Sequence, residues 1–149
     1  MKILIKNGYI VNENKIFESD ILVNGELIEK IDKNISSNDI DKVIDCEGSL
    51  ILPGIIDDQV HFREPGYPKK ATIFSESRAA VAGGITSYFE MPNTNPSTTT
   101  IESLNHKFKI ASTSSLANYS FMFGGTNQNI NEVKKSVSYT HLTLPTIDR

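Results

Sequence analysis

The sequence predicts an α/β protein whose first 50 residues are strand and turn and whose remainder alternates strand with helix. Three observations carry this. Up to Leu50, apolar residues come in short alternating bursts broken at Asn-rich and Asn-Gly steps. From Leu52 onward, apolar runs alternate with stretches of helical spacing. Proline, glycine and capping hydroxyls stand at the joins.

In residues 1–50 the bursts are Ile3 and Ile5, Ile10, Ile16, Ile21 and Val23, then Leu27, Ile28 and Ile31, then Val43 and Ile44. Breaks fall at Asn7-Gly8, Asn12 to Asn14 and Asn24-Gly25, because Asn and Gly tolerate positive φ in tight turns. VNGELIEKI reads as a hairpin about Asn24-Gly25, and 34–41 as a polar loop, so a β-meander is expected.

Leu50-Ile51-Leu52 and Ile55-Ile56 suit a strand buried on both faces, entered at Pro53-Gly54 and closed by the turn Glu64-Pro65-Gly66. Thr72 offers an N-cap hydroxyl to a helix that Gly83-Gly84 stops, with Ile73, Phe74, Ser77, Ala80 and Val81 on its packing face. Ile85 to Met91 is the second strand, and Pro92-Asn93-Thr94-Asn95-Pro96 a rigid loop at its C-terminal end. Thr99-Thr100-Ile101-Glu102 fits a capping box before a helix whose buried stripe is Ile101, Leu104, Phe108 and Ala111. Tyr119, Phe121 and Phe123 alternate on a third strand ended by Gly124-Gly125, and residues 127–135 open a third helix. The order β-α-β-α-β-α implies parallel strands joined by right-handed crossovers.

Composition excludes some functions. A net charge of -3 without a Lys/Arg cluster gives no basic stripe for a phosphate backbone, so no nucleic-acid partner is expected. No apolar run approaches the ~18 residues of a membrane span, and Met1 to Ile10 has no leader-like core, so a cytoplasmic protein is expected. The single cysteine, Cys46, has no intramolecular disulfide partner and no histidine near it in sequence, and reads as a small half-buried strand residue.

The chemistry is concentrated in residues 52–66, LPGIIDDQVHFREPG. Alternate side chains of a strand share a face, so Gln59, His61 and Arg63 point one way and Val60 and Phe62 the other. The first face could hold a metal and a substrate. Arg63 has the fork that grips carboxylates, with a salt bridge to Glu64 as the plainer alternative. Asn93 either satisfies turn backbone or presents its amide to a ligand. Asp57 precedes the active face and reads as an orienting group beside Asp58, while His106 sits on a polar helix face. Because active groups of a parallel barrel lie after the strands, His61, Arg63 and Asn93 fall where such a site would be.

With AGGIT at 82–86 and MPNTNP at 91–96, this segment resembles the signature of the cyclic amidohydrolases, and REPG after the histidine is similar to dihydroorotase in particular. The resemblance covers roughly residues 1–135, its specific motifs lying within 52–96. It implies a (β/α)8 TIM-type barrel preceded by a small N-terminal β-sheet that strands from the C-terminal end complete. It also implies zinc bound at His61 and at the position of Gln59, and a substrate carboxylate gripped by Arg63 with help from Asn93. The implied reaction is reversible cyclisation of N-carbamoyl-L-aspartate to L-dihydroorotate in pyrimidine biosynthesis. The implied assembly is a homo-oligomer.

Gln59 departs from the pattern, since it stands where the family has its first zinc histidine and an amide oxygen is a poorer zinc ligand than imidazole. That keeps two alternatives open: a non-catalytic dihydroorotase-like structural partner, and a hydantoinase or allantoinase type of enzyme, against which Arg63 is the discriminator.

A complete barrel needs about 250 residues. The expected organisation is therefore an N-terminal β-sheet segment over 1–50, about the first three βα units of a truncated barrel over 51–135, and a tail over 136–149. Such a piece is expected to be inactive alone, its catalytic aspartate and remaining ligands lying beyond it. The tail, SVSYTHLTLPTIDR, fits nothing before it and reads as foreign to the frame, a fourth strand being the competing reading; His141 is not expected to bind metal.

Overall fold

The computed structural model describes residues 1–36, 38–137 and 146–147. The chain divides into two compact units, Met1–Pro53 and Gly54–Arg149.

The first unit is a five-stranded sheet of β1 (Lys2–Asn12), β2 (Lys15–Asn24), β3 (Leu27–Asp32), β4 (Lys42–Asp45) and β5 (Leu50–Ile51). β1, β2 and β3 form the expected antiparallel meander, turned at Glu13-Asn14, where both residues have positive φ, and at Gly25. β4 and β5 depart from a meander, because both pair parallel to β1. The loop after β3 carries the chain to the free edge of β1, where Lys2 and Asp41 exchange hydrogen bonds through the Lys2 N–H (2.6 Å) and the Asp41 N–H (3.0 Å).

The Asn7-Gly8 step makes no turn. It is a bulge inside β1, where the register with β2 shifts and Asn7, at φ 57°, gives its amide to both oxygens of Asp45 at 3.0 Å. Leu4, Ile10, Ile21 and Leu22 are buried, whereas Leu27, Ile28, Ile31, Val43 and Ile44 are exposed. Cys46 lies just past β4, half-buried with a free thiol.

The second unit has a parallel sheet in the order β6 (Ile55–Val60), β7 (Ile85–Glu90), β8 (Asn118–Phe121). Its helices are α1 (Ile73–Ala82), α2 (Ile101–Ser114) and α3 (Ile130–Val137). A short strand β9 (Gly124–Gly125) pairs in parallel with β10 (Thr146–Ile147). Strand–helix alternation and parallel pairing are as the sequence predicts, giving a mixed α/β architecture. The reading of 136–149 as a foreign tail falls largely outside the described residues, as does His141.

Local chemistry explains the helix boundaries. Thr72 caps α1 in a reciprocal capping box with Ser75, and Gly83 closes it. On α2 the box lies one residue later than predicted, between Thr100 and Ser103, because Thr100 takes the extended conformation an N-cap needs. Glu102 remains in the first turn, favourably placed on the helix dipole.

The core joins Val60, Phe62, Ile73, Ala80, Tyr88, Leu104, Ala111, Ala117, Phe121 and Phe123. Its rings are in contact: Phe62 and Tyr88 at 4.6 Å, and Phe108 and Phe121 edge to face at 4.9 Å. Burying Ile73, Leu104 and Phe121 fully contributes about 1.5–3 kcal/mol each. Burial also pushes the Tyr88 phenol up to about 12, its hydroxyl sharing a 3.0 Å hydrogen bond with Ser115 Oγ.

Two further expectations change. Phe74 and Val81 are exposed rather than packed, Phe74 lying under the Arg78 guanidinium at 3.6 Å. β6 is not buried on both faces: Ile55 and Ile56 are 54% and 64% exposed, since β6 is an edge strand paired only with β7 among the described residues. No helix among the described residues is long and apolar enough to cross a membrane.

Candidate active site

The C-terminal ends of the three parallel strands lie side by side. The Met91 N–H donates to Val60 O at 3.0 Å and the Met122 N–H to Glu90 O at 2.8 Å, which aligns the exits of β6, β7 and β8. The exit of β6 carries His61 and Arg63, and the exit of β7 carries Asn93.

The two loops are fastened to each other. The Asn95 N–H donates to Pro65 O at 3.1 Å. Gly66, at φ 103°, lies so close that a Cβ there would overlap the Asn95 carbonyl oxygen, so a residue without a side chain is required at this contact.

His61 and Asn93 meet, with 3.0 Å between Nδ1 and Oδ1. An amide oxygen only accepts, so in this arrangement Nδ1 is the donor, which in the neutral ring leaves the Nε2 lone pair to a ligand. The same bond leaves the Asn93 Nδ2 donors without a partner among the described residues, available to an acceptor such as a carboxylate.

Arg63 lies between two anchors. Phe62 is buried against Tyr88, and the Glu64 carboxylate accepts from the Ile73 N–H at 2.7 Å at the start of α1. To connect them, Arg63 takes φ 67°, a left-handed conformation that breaks the predicted alternation, because β6 ends at Val60. The alternative of a salt bridge to Glu64 is absent among the described ion pairs, and no described acidic side chain pairs with the Arg63 guanidinium. The carboxylate that would compete for it is engaged at the helix.

Gln59 and Asp57 are not drawn into this constellation. Gln59 is exposed, and its backbone N–H donates to Asp57 Oδ1 at 3.1 Å, so Asp57 braces an irregular step of β6 rather than orienting His61. A zinc ion needs about four donors of this kind. Among the described residues no three of His, Cys, Asp and Glu converge, and the site offers one imidazole beside an exposed amide. These residues do not by themselves fit zinc. A 630 Å³ cavity lies instead on the flank of α2, between Pro65, Pro96, Ser103, His106 and Lys109, and none of His61, Arg63 or Asn93 lines it.

Beneath the loops lies a pair that the sequence analysis does not single out. Lys107 Nζ is 2.7 Å from Glu90 Oε2, and both side chains are 1% exposed. Lys107 also donates to Met91 O at 3.1 Å and lies 4.9 Å from the Phe121 ring centre. The contact with Glu90 is ionic rather than a well-directed hydrogen bond, since neither carboxylate oxygen has an aligned donor. Burial raises Glu90 above its ordinary range, against the Lys107 charge, which lowers it. Burial likewise lowers Lys107, against the Glu90 charge. A signal existed: Lys107 stands three residues after Leu104 and four before Ala111, on the apolar stripe of α2.

Known proteins resemble this chain in both sequence and structure. A model of the dihydro-orotase-like family matches residues 48–133. The dihydroorotase of Fusobacterium nucleatum is 42% identical over 107 residues, 72% of this chain and 25% of that protein. The dihydroorotase of Bacillus subtilis is 50% identical over 97 residues, 64% of this chain and 22% of its own length. Among solved structures, the L-hydantoinase (dihydropyrimidinase) of Arthrobacter aurescens superposes with a TM-score of 0.86 at 30% identity, over 92% of this chain and 31% of that one. The chain thus spans about a quarter of the length of the curated relatives it matches.

Proposed function

This chain belongs to the dihydro-orotase-like family of cyclic amidohydrolases, and on that premise we propose that it carries the substrate-recognition end of a dihydroorotase. The proposed reaction is reversible cyclisation of N-carbamoyl-L-aspartate to L-dihydroorotate. The observation that carries the reading is Arg63, half-buried at the exit of β6, its guanidinium without an ion-pair partner among the described residues, beside Asn93 with its Nδ2 donors uncommitted.

In this reading Arg63 grips the free carboxylate of the substrate through two parallel N–H donors, and Asn93 adds a third from the neighbouring loop. The His61–Asn93 hydrogen bond fixes the amide so that its donors and not its oxygen face the anion. A neutral hydantoin lacks the group that Arg63 binds. The proposal therefore separates dihydroorotase from the hydantoinases that share the fold.

We also propose a truncated (β/α)8 barrel for the second unit and zinc for the complete protein. His61 would supply one imidazole through Nε2, and the other ligands would have to come from outside the described residues. Gln59 motivates a second reading, a silent dihydroorotase-like partner of another enzyme. The complete product of the source gene distinguishes them. Ring closure of N-carbamoyl-L-aspartate in preference to hydantoin, with zinc in the same sample, supports the enzyme; purification without zinc and without ring closure supports the silent relative.

A further inference from the structure

We propose that Glu64 is a positioning residue for Arg63: its side chain ties the exit of β6 to the start of α1, and so holds the Arg63 guanidinium open to the substrate carboxylate. The inference rests on the reading of Arg63 given above, and adds to it a residue that acts through Arg63 alone.

Three observations lead to it. Arg63 is the only non-glycine with positive φ among the described residues of the second unit, so its surroundings and not its own preference fix the backbone there. Of the two residues that flank it, Phe62 is buried against Tyr88, and Glu64 accepts from the Ile73 N–H at 2.7 Å. Glu64 borders the groove between α1 and α2 with Phe74 and Ile110, and it enters none of the described ion pairs. Its carboxylate is committed to the helix and not to the adjacent Arg63.

Capping alone is a weak reason for Glu64. Thr72 and Ser75 already close the start of α1, the Ser75 N–H meeting Thr72 Oγ1 at 3.1 Å and the Thr72 N–H meeting Ser75 Oγ at 3.2 Å. That box leaves the Ile73 N–H, at the positive end of the helix dipole, as a donor for a group from outside the helix. α2 repeats the arrangement: Thr100 and Ser103 form the box, and the Ile101 N–H donates to Glu132 of α3 at 2.9 Å. The first N–H of each helix is thus a fastening point for another segment. On α2 it holds α3, and on α1 it holds the residue next to Arg63. A carboxylate released from that point would stand one residue from the guanidinium and compete with the substrate for it.

The test uses the complete gene product. Glu64→Ala removes the tie, Glu64→Gln puts an amide oxygen in its place, and Glu132→Ala removes the matching bond on α2. Arg63→Ala is the reference. Calorimetry gives the preference for N-carbamoyl-L-aspartate over N-carbamoyl-β-alanine, which lacks the α-carboxylate; hydrogen exchange at the Ile73 amide reports loss of the tie.

Glu64→Ala is expected to lose about tenfold of the preference, the worth of one misplaced charge-assisted contact. Its affinity for N-carbamoyl-β-alanine should be unchanged and its Ile73 amide should exchange faster. Glu64→Gln should recover most of the preference, and Glu132→Ala should keep all of it. Equal weakening towards both ligands, a loss in Glu132→Ala as large as in Glu64→Ala, or full preference in Glu64→Ala while Arg63→Ala has none, overturns the inference alone. Preference surviving in Arg63→Ala overturns the carboxylate reading and the inference with it. Should Glu64→Ala fail to fold, Glu64→Asp decides. Its shorter arm gives up the helix and leaves a carboxylate beside Arg63, so a loss of preference supports the proposal, and full preference with a fast-exchanging Ile73 amide overturns it.

Discussion

Replacing Lys107 by methionine would leave Glu90 alone in the core, and protonation limits what that costs. Both side chains are 1% exposed and 2.7 Å apart, and burial already raises the one and lowers the other. Without the ammonium the carboxyl takes up a proton in the folded protein. At pH 7, neutralising a group whose ordinary value is ~4.3 costs about 3.7 kcal/mol, which lies inside the ~3–5 kcal/mol typical of breaking a buried pair.

The sign follows from linkage. The folded Lys107→Met variant binds a proton that its unfolded chain does not, so its stability falls as pH rises and recovers by about 1.4 kcal/mol for each pH unit below 7, down to ~4.3. Glu90→Gln runs the other way. Its orphaned Lys107 is neutral when folded and charged when unfolded, so the penalty, at most about 4.6 kcal/mol at pH 7, shrinks as pH rises towards ~10.4. Urea unfolding of the complete gene product from about pH 5.5 to about pH 8.5, each variant referred to wild type at the same pH, reads both slopes. Parallel slopes, or single variants within about 1 kcal/mol of wild type, would refute the picture of a dry, mutually dependent pair.

Gly66→Ala should cost about 1–3 kcal/mol and weaken substrate binding, because the new methyl overlaps the Asn95 carbonyl at a φ of 103°. Gly25→Ala, at φ 61° with nothing within 4 Å, should cost only about 1 kcal/mol. Urea unfolding of the pair checks this, and equal losses would mean that the two site loops are not in contact. The 149-residue chain expressed alone should bind a hydrophobic dye and self-associate, because Leu27, Ile28, Val43, Ile55 and Ile56 are each more than half exposed. A dye-free monomer with a sharp thermal transition would contradict that.

Much of the local chemistry of this fold was legible in neighbouring residues. Thr72 and Gly83 bound α1, and the alternation of Val60 with Gln59 and His61 separated core from surface correctly. Apart from the one-residue shift of the α2 capping box, what failed depended on partners distant in sequence. Asn7-Gly8 has the composition of a turn but is a bulge, because β1 continues through it to pair with β2 and β4. The parallel addition of β4 and β5 to β1 leaves no local signal. Ile55 and Ile56 have the apolar character of a doubly covered strand, yet whether cover exists depends on other segments.

The site divides in the same way. That His61, Arg63 and Asn93 fall at the exits of parallel strands was legible from spacing, and 3.0 Å separates His61 from Asn93. Extrapolating strand alternation to Arg63 ignored the left-handed step at that residue, which three-dimensional anchoring of Phe62 and Glu64 demands. Lys107 is not among the residues that the sequence singles out. Its place on the stripe between Leu104 and Ala111 marks it as buried, and Glu90 and Met91 O, both distant in sequence, explain how it is tolerated.

The central claim is that Arg63 recognises a substrate carboxylate, and kcat/KM of the complete gene product for N-carbamoyl-L-aspartate, before and after Arg63→Ala, tests it most directly. Loss of a bidentate charge-assisted contact predicts a fall of about 30- to 150-fold, with Arg63→Lys intermediate and turnover of neutral cyclic amides unchanged. An Arg63→Ala enzyme that cyclises N-carbamoyl-L-aspartate as well as wild type would contradict the account.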